Sequence, residues 1–102
     1  MPDSEESLGK SFYFRLYVNG MNGVASQAVA NLRSLLDKQL PDQFELEILN
    51  IAENPDALDE DNVLATPTLI KKLPDPAARI LGDFSNEDAV LVGMGLQPNT
   101  ET

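Results

Sequence analysis

The chain has 102 residues, room for one domain and a single core. Seventeen acidic residues against seven basic ones leave a formal charge of −10, which repels phosphate backbones and anionic lipid heads, so neither nucleic acid nor membrane is an expected partner. The absence of both cysteine and histidine removes disulfides, thiolate nucleophiles, zinc-thiolate sites and neutral-pH imidazole chemistry together.

Residues 1–10 are acidic and read as a flexible extension, not as a signal peptide. No apolar run approaches the roughly 18 to 20 residues that a spanning helix needs, so a cytoplasmic protein is expected. The segment 11–19 (SFYFRLYVN) alternates, with Phe12, Phe14, Leu16 and Val18 on one face and Tyr13, Arg15 and Tyr17 on the other, which predicts a first strand. After a turn at 20–23, Ala25, Ala28, Val29, Leu32, Leu35, Leu36 and Leu40 keep the three-four spacing of an amphipathic helix that Pro41 stops. Phe44, Leu46 and Ile48 then alternate with Glu45 and Glu47, a second strand with one face in water.

Asn54-Pro55 signals a helix start, with Asn54 as the expected capping side chain and a short helix running to about Asn62. Thr66-Pro67 breaks the chain ahead of a strand over 68–73. Pro74-Asp75-Pro76 turns it into a partner strand over 77–81, and Ser85 with Asp88 predicts a capping box for a last helix carrying Val90, Leu91 and Met94. Residues 97–102 form a polar tail. The order βαβαββα over 11–96 is the minimal thioredoxin-like α/β arrangement, with sheet order 2-1-3-4. That order makes 44–51 a sheet edge, open to a partner strand and guarded by Glu45 and Glu47, with Asn50 at its end.

Thioredoxin-like enzymes place redox cysteines where strand one meets helix one, since a helix amino terminus lowers a thiol pKa. Here that junction reads Asn19-Gly20-Met21-Asn22-Gly23. Thr66-Pro67 sits where such folds carry a cis-proline, and a trans turn proline is the competing reading. The acidic run Asp59-Glu60-Asp61 lacks the glycine and oxygen ligands of a calcium loop and reads as a solvated helix face. No glycine pattern fits a nucleotide. Neither metal nor cofactor is expected, and no residue is a catalytic candidate.

The stretch 89–96 (AVLVGMGL) is ambiguous, because each glycine costs a helix interior about 1 kcal/mol. It reads either as a frayed end or as a segment that serves two folds. On the second reading Gly93→Ala favours the helical form.

The runs Leu16-Tyr17-Val18-Asn19-Gly20, Glu53-Asn54-Pro55, Leu64-Ala65-Thr66-Pro67-Thr68-Leu69, Leu73-Pro74 and Ile80-Leu81-Gly82-Asp83-Phe84-Ser85 resemble the KaiB family of clock proteins and the related sensory domain of the kinase SasA. The resemblance implies a protein that acts by binding a KaiC-like ATPase, with competition against or recruitment of an output kinase. It also implies a self-associating resting form, a dimer or tetramer, and a thioredoxin-like monomer, with the second half rearranging around Thr66, Pro67, Gly93 and Gly95. The positions implied for partner contact are Gln27 and Asn62, where relatives often carry basic residues, with Lys71 and Arg79 as retained cations. Ala78 replaces one member of an arginine pair, and Gly95 stands where clock members carry an acid. These departures fit a divergent member with a clock or stress-signalling partner. A detached SasA-type sensory domain is the second reading, and an enzyme of thioredoxin ancestry using carboxylates alone is the third.

Overall fold

A computed structural model describes residues 11–82 and 84–96; the extension 1–10, the tail 97–102 and Asp83 of the Gly82-Asp83 pair lie outside the described residues. The elements are β1 (Phe12–Val18), α1 (Gly23–Gln39), β2 (Phe44–Asn50), a 3-10 turn (Ile51–Glu53), α2 (Pro55–Glu60), β3 (Thr68–Leu73), β4 (Ala78–Leu81) and α3 (Glu87–Gly93). The sheet order is β2-β1-β3-β4. Strands β1 and β2 run parallel, whereas β1–β3 and β3–β4 are antiparallel, as the thioredoxin-like reading requires. Between Tyr13, opposite Leu73, and Phe14, opposite Lys71, the β1–β3 ladder skips one residue, Lys72.

Both faces of β1 are covered. Phe14, Leu16 and Val18 join Leu69, the α1 residues Ala25, Ala28, Leu32, Leu35 and Leu36, and the α3 residues Val90 and Leu91, with Met94 behind them, in the main core. The opposite face holds a smaller cluster of Tyr17, Leu49, Val63 and Ile70, roofed by Ile51, Ala57 and Leu58. Burying such side chains contributes about 1.5 to 3 kcal/mol each, so the period-two and period-3.6 patterns dictate which face each element turns inward. Lys38 in the last turn of α1 meets Glu87 in the first turn of α3 at 2.9 Å, each charge opposing its own helix dipole.

No capping residue is named for α1 from the sequence, and the caps expected for α2 and α3 differ from those observed. The Asn22 side-chain oxygen Oδ1 accepts from Ala25 N–H at 2.9 Å, starting α1 at Gly23. Asn54 does not cap α2 with its side chain; its amide instead donates to the Asn50 carbonyl at 2.9 Å, which closes an unforeseen 3-10 turn. Asn86, not Ser85, caps α3 through Ala89 N–H at 3.1 Å, because the helix begins one residue later than the spacing suggested.

The two late glycines also occupy different positions from those expected. Gly93 is the last helical residue, and a Cβ there would sit 3.0 Å from Ile80 Cγ1. Gly95 lies beyond the helix at φ +81. Leu96 N–H reaches the Leu91 carbonyl at 2.8 Å and Gly95 N–H reaches that of Val92 at 3.0 Å, the paired bonds of a Schellman end. The helix-propensity gain expected of Gly93→Ala is set in this fold against the displacement of the Ile80 side chain. We predict that Gly95→Ala lowers unfolding free energy by about 1 kcal/mol, the cost of a β-carbon in the left-handed region. Gly93→Ala gives no gain in urea denaturation. A rise in midpoint for Gly93→Ala matching the full helix-propensity difference would show that Ile80 yields freely.

Candidate docking site at the carboxyl end of the sheet

Strand β1 ends at Val18, and Gly20 at φ +75 turns the chain toward the Asn22 cap. A positive φ is inexpensive only for glycine, so this position shapes the junction. Facing it, the Thr66-Pro67 peptide is cis, as are Leu73-Pro74 and Asp75-Pro76. Thr68 Oγ1 donates to the Ala65 carbonyl at 2.6 Å, and the Pro67 carbonyl accepts from Gly82 N–H at 3.3 Å, so this loop is tied at both ends. Between junction and loop lies a groove of about 200 Å³ lined by Asn19, Asn22, Val24, Ala25, Thr66 and Pro67. A second, of about 350 Å³, shares Asn19 and Thr66 and continues past Ile51, Leu58, Val63, Leu64 and Ala65. Met21 and Val24 are each 60% exposed here, and Leu64 is 96% exposed.

The loop that carries Leu64 is held from below by Asp61. Its carboxylate, 6% exposed, accepts from Lys72 Nζ at 2.6 Å, from an Arg15 guanidinium nitrogen at 3.1 Å and from the Tyr17 hydroxyl. The Asp61 carbonyl accepts from Arg79 at 2.6 Å and the Asn62 carbonyl from the same guanidinium at 3.2 Å. Burial alone raises the Asp61 pKa, but the bonds from Lys72, Tyr17 and Arg15 outweigh it and hold the carboxyl below its ordinary value. Burial, followed by the bond to Asp61, pushes the Tyr17 phenol up to about 12.

Of the residues singled out from sequence, Thr66 and Pro67 line the groove. Asn62 and Arg79 are exposed and joined to each other through the Asn62 carbonyl. Gln27 is exposed on α1, donating to Asn31 within the helix at 3.1 Å. Lys71 is buried at 4% exposure, with its ammonium 2.9 Å from the Met94 carbonyl, because β3 points it toward the α3 side of the sheet; in this fold it is committed to a helix end, not to a partner. Glu45 is exposed on the β2 edge. Glu47 departs from the expected solvent guard, since it accepts from the Tyr13 hydroxyl and pairs with Arg15 at 3.4 Å. The Asn50 side chain accepts from Ala52 N–H at 3.2 Å and so caps the 3-10 turn. Gly93 and Gly95 end α3.

Asp61 is buried, in contrast to the solvated helix face expected for the run Asp59-Glu60-Asp61. Tyr17 and Arg15 on the second face of β1 were the available signal, since two polar tips on one face of a central strand need a buried or half-buried partner.

The sheet is thioredoxin-like, its β1–α1 junction carries no thiol, and an open groove lies between that junction and the cis-proline loop. The family model of the KaiB domain matches residues 15–96. The chain is 42% identical over 84 residues to circadian clock protein KaiB3 of Synechocystis, covering 82% of each, and 39% identical over 89 residues to circadian clock oscillator protein KaiB of Thermosynechococcus vestitus, covering 87% of this chain and 82% of that one. It belongs to the KaiB family. Among solved structures, the amino-terminal domain of Synechococcus elongatus SasA superposes with a TM-score of 0.66 at 17% identity, covering 78% of this chain and 76% of that one. Mitochondrial thioredoxin 3 of Saccharomyces cerevisiae superposes at 0.65 with 20% identity, covering 92% and 88%. These two likenesses establish the fold.

Asp61→Asn leaves two cations facing a neutral amide. Because Arg15 and Lys72 are 19% and 24% exposed and can turn toward water, we predict a loss of about 2 kcal/mol near pH 7, below the 3 to 5 typical of fully buried pairs. The folded pKa of Asp61 lies below the unfolded value, so its contribution is fully present above the ordinary carboxylate range and is lost as pH falls through the folded pKa. Urea unfolding of both proteins should therefore converge only in strong acid. Parallel curves from neutral pH down through that range would show that the charge of Asp61 does not stabilise the fold.

Proposed function

We propose that this chain is a non-catalytic regulator that works by binding a KaiC-type ATPase. The observation that carries this reading is the pairing of two features at one end of the sheet. Where enzymes of this scaffold hold a thiol at the helix amino terminus the chain reads Asn19-Gly20-Met21-Asn22-Gly23, and beside it the groove is open, with Val24 and Leu64 exposed at its rim. Such a site has recognition surface without a nucleophile. Membership of a family whose named members are clock proteins supports a protein ligand.

Gln27, Asn62 and Arg79 are the contact residues this reading assigns near the groove. Glu45, Glu47 and Asn50 mark the β2 edge, a separate surface for an output kinase or another strand. Lys71 becomes available only if the β3–β4–α3 half repacks, which would also release the Gly93–Ile80 packing. A self-associated resting form with Thr66, Pro67, Gly93 and Gly95 as pivots belongs to the same proposal.

The test is to mix the purified chain with the KaiC-type ATPase from its own cell and ATP, and to follow the complex by size-exclusion chromatography with light scattering. A co-eluting complex and an altered ATPase rate are expected. Paired substitutions Gln27→Glu and Asn62→Glu should weaken it at least about tenfold, roughly 1.4 kcal/mol. No complex at concentrations far above cellular ones removes the proposal.

A further inference from the structure

The two banks of the groove differ in charge. On the α1 side, residues 16–32 contain no Asp, Glu, Lys or Arg. On the α2 side, residues 39–70 contain eight Asp and Glu and no Lys or Arg at all. Glu53, Asp56 and Asp59 are exposed on the turn and helix whose Ile51 and Leu58 line the groove. None of the three has a cationic partner among the described residues. Arg15, Lys72 and Arg79, the cations on this face of the sheet, are already held by Asp61 and Asn62.

Three of the large apolar side chains left exposed, Met21, Val24 and Leu64, lie at the same end. A leucine 96% exposed gains nothing for the fold, and its loop is nonetheless pinned by Asp61, Arg79 and Thr68. Rigid presentation of an apolar side chain beside a groove is how a binding anchor lowers the ordering cost of association.

We propose that this end of the sheet docks an extended segment of a partner protein that carries a large apolar side chain and adjacent basic residues. The apolar side chain lies in the trough that runs from Val24 past Asn19 and Thr66 to Leu64. The basic residues lie over Glu53, Asp56 and Asp59. The charge pattern selects this occupant: a second copy of the chain would bring its own surplus of ten negative charges against an acidic bank. An acidic segment is repelled for the same reason. The uncharged α1 bank fixes the direction in which the segment lies, with its cations toward α2. This inference rests on the binding-module reading and adds the chemistry of the ligand at the groove.

The test uses the whole chain labelled with ¹⁵N and an acetylated, amidated hexapeptide, two leucines flanked by lysine pairs. Saturable shifts at the amides of Asn19, Val24, Leu64 and Thr66 are expected. Binding should weaken at least about tenfold when the peptide lysines become glutamates, when its leucines become alanines, or when the protein carries Leu64→Ser or Asp56→Asn with Asp59→Asn. Leu64 is solvated, so Leu64→Ser does not endanger the fold. Shifts confined to the acidic residues and indifferent to Leu64→Ser would mean charge attraction alone and would overturn the proposal, as would equal binding of the glutamate peptide or shifts along the β2 edge. Capture of the ATPase is measured in parallel. Capture with a silent peptide titration removes this inference and leaves the regulator reading standing; the reverse result removes that reading and leaves the docking groove.

Discussion

The carboxylate of Asp61 ties together parts of the chain that no hydrophobic contact joins as directly. It stands at the end of α2, accepts from Arg15 and Tyr17 on β1 and from Lys72 on β3, and its own carbonyl and that of Asn62 receive Arg79 from β4. A buried carboxylate without such donors would cost several kcal/mol, so the group is tolerable only where all these elements meet. The consequence is geometric. The loop from Asn62 to Pro67 is fixed at one end by this cluster and at the other by the Thr68 and Gly82 hydrogen bonds, and the exposed Leu64 is presented on a supported arch.

That arch faces a junction where the scaffold ordinarily concentrates reactivity. The β1–α1 turn of a thioredoxin-like domain brings a helix amino terminus beside a proline loop, a geometry suited to activating a thiol. In this KaiB-family chain the same geometry encloses amide side chains and apolar rims. At this position lies a groove open to solvent, flanked by one helix that is uncharged where it borders the groove and one that is acidic. Shape and charge asymmetry are the means of recognition such a surface has.

The second half of the chain is held by less. Strand β4 has four residues and α3 has seven, and their connection to the main core runs through Ile80 against Gly93, Lys71 against the end of α3, and the Val90–Leu91–Met94 stripe. Each glycine there has a local reason in this fold, one for close approach and one for a left-handed helix end. The unfavourable local propensity of the segment is therefore answered by tertiary contacts, and it is those contacts that any rearrangement would have to give up.

The sequence by itself determined the order of elements, the parallel β1–β2 pair, the edge position of β2 and the lack of a thiol at the junction. The element order and the missing thiol follow from periodicity, breakers and residue chemistry within a few positions of each other, and the strand pairing from the thioredoxin-like arrangement that this order matches. Family membership was legible for the same reason, since Ala65-Thr66-Pro67-Thr68 and its neighbours are contiguous in the chain. Only the tertiary structure decided that Asp61 is buried while its neighbours are solvated, that Lys71 faces a helix end, that Glu47 is engaged by Tyr13, and that Asn86 caps α3 in place of Ser85. In each case the deciding partner lies on another element or one position along a cap. A carboxylate, an ammonium or a short capping side chain looks the same in sequence whether it meets water or a distant donor; burial and partner geometry, which exist only once β1, α2, β3 and β4 are assembled, separate the two.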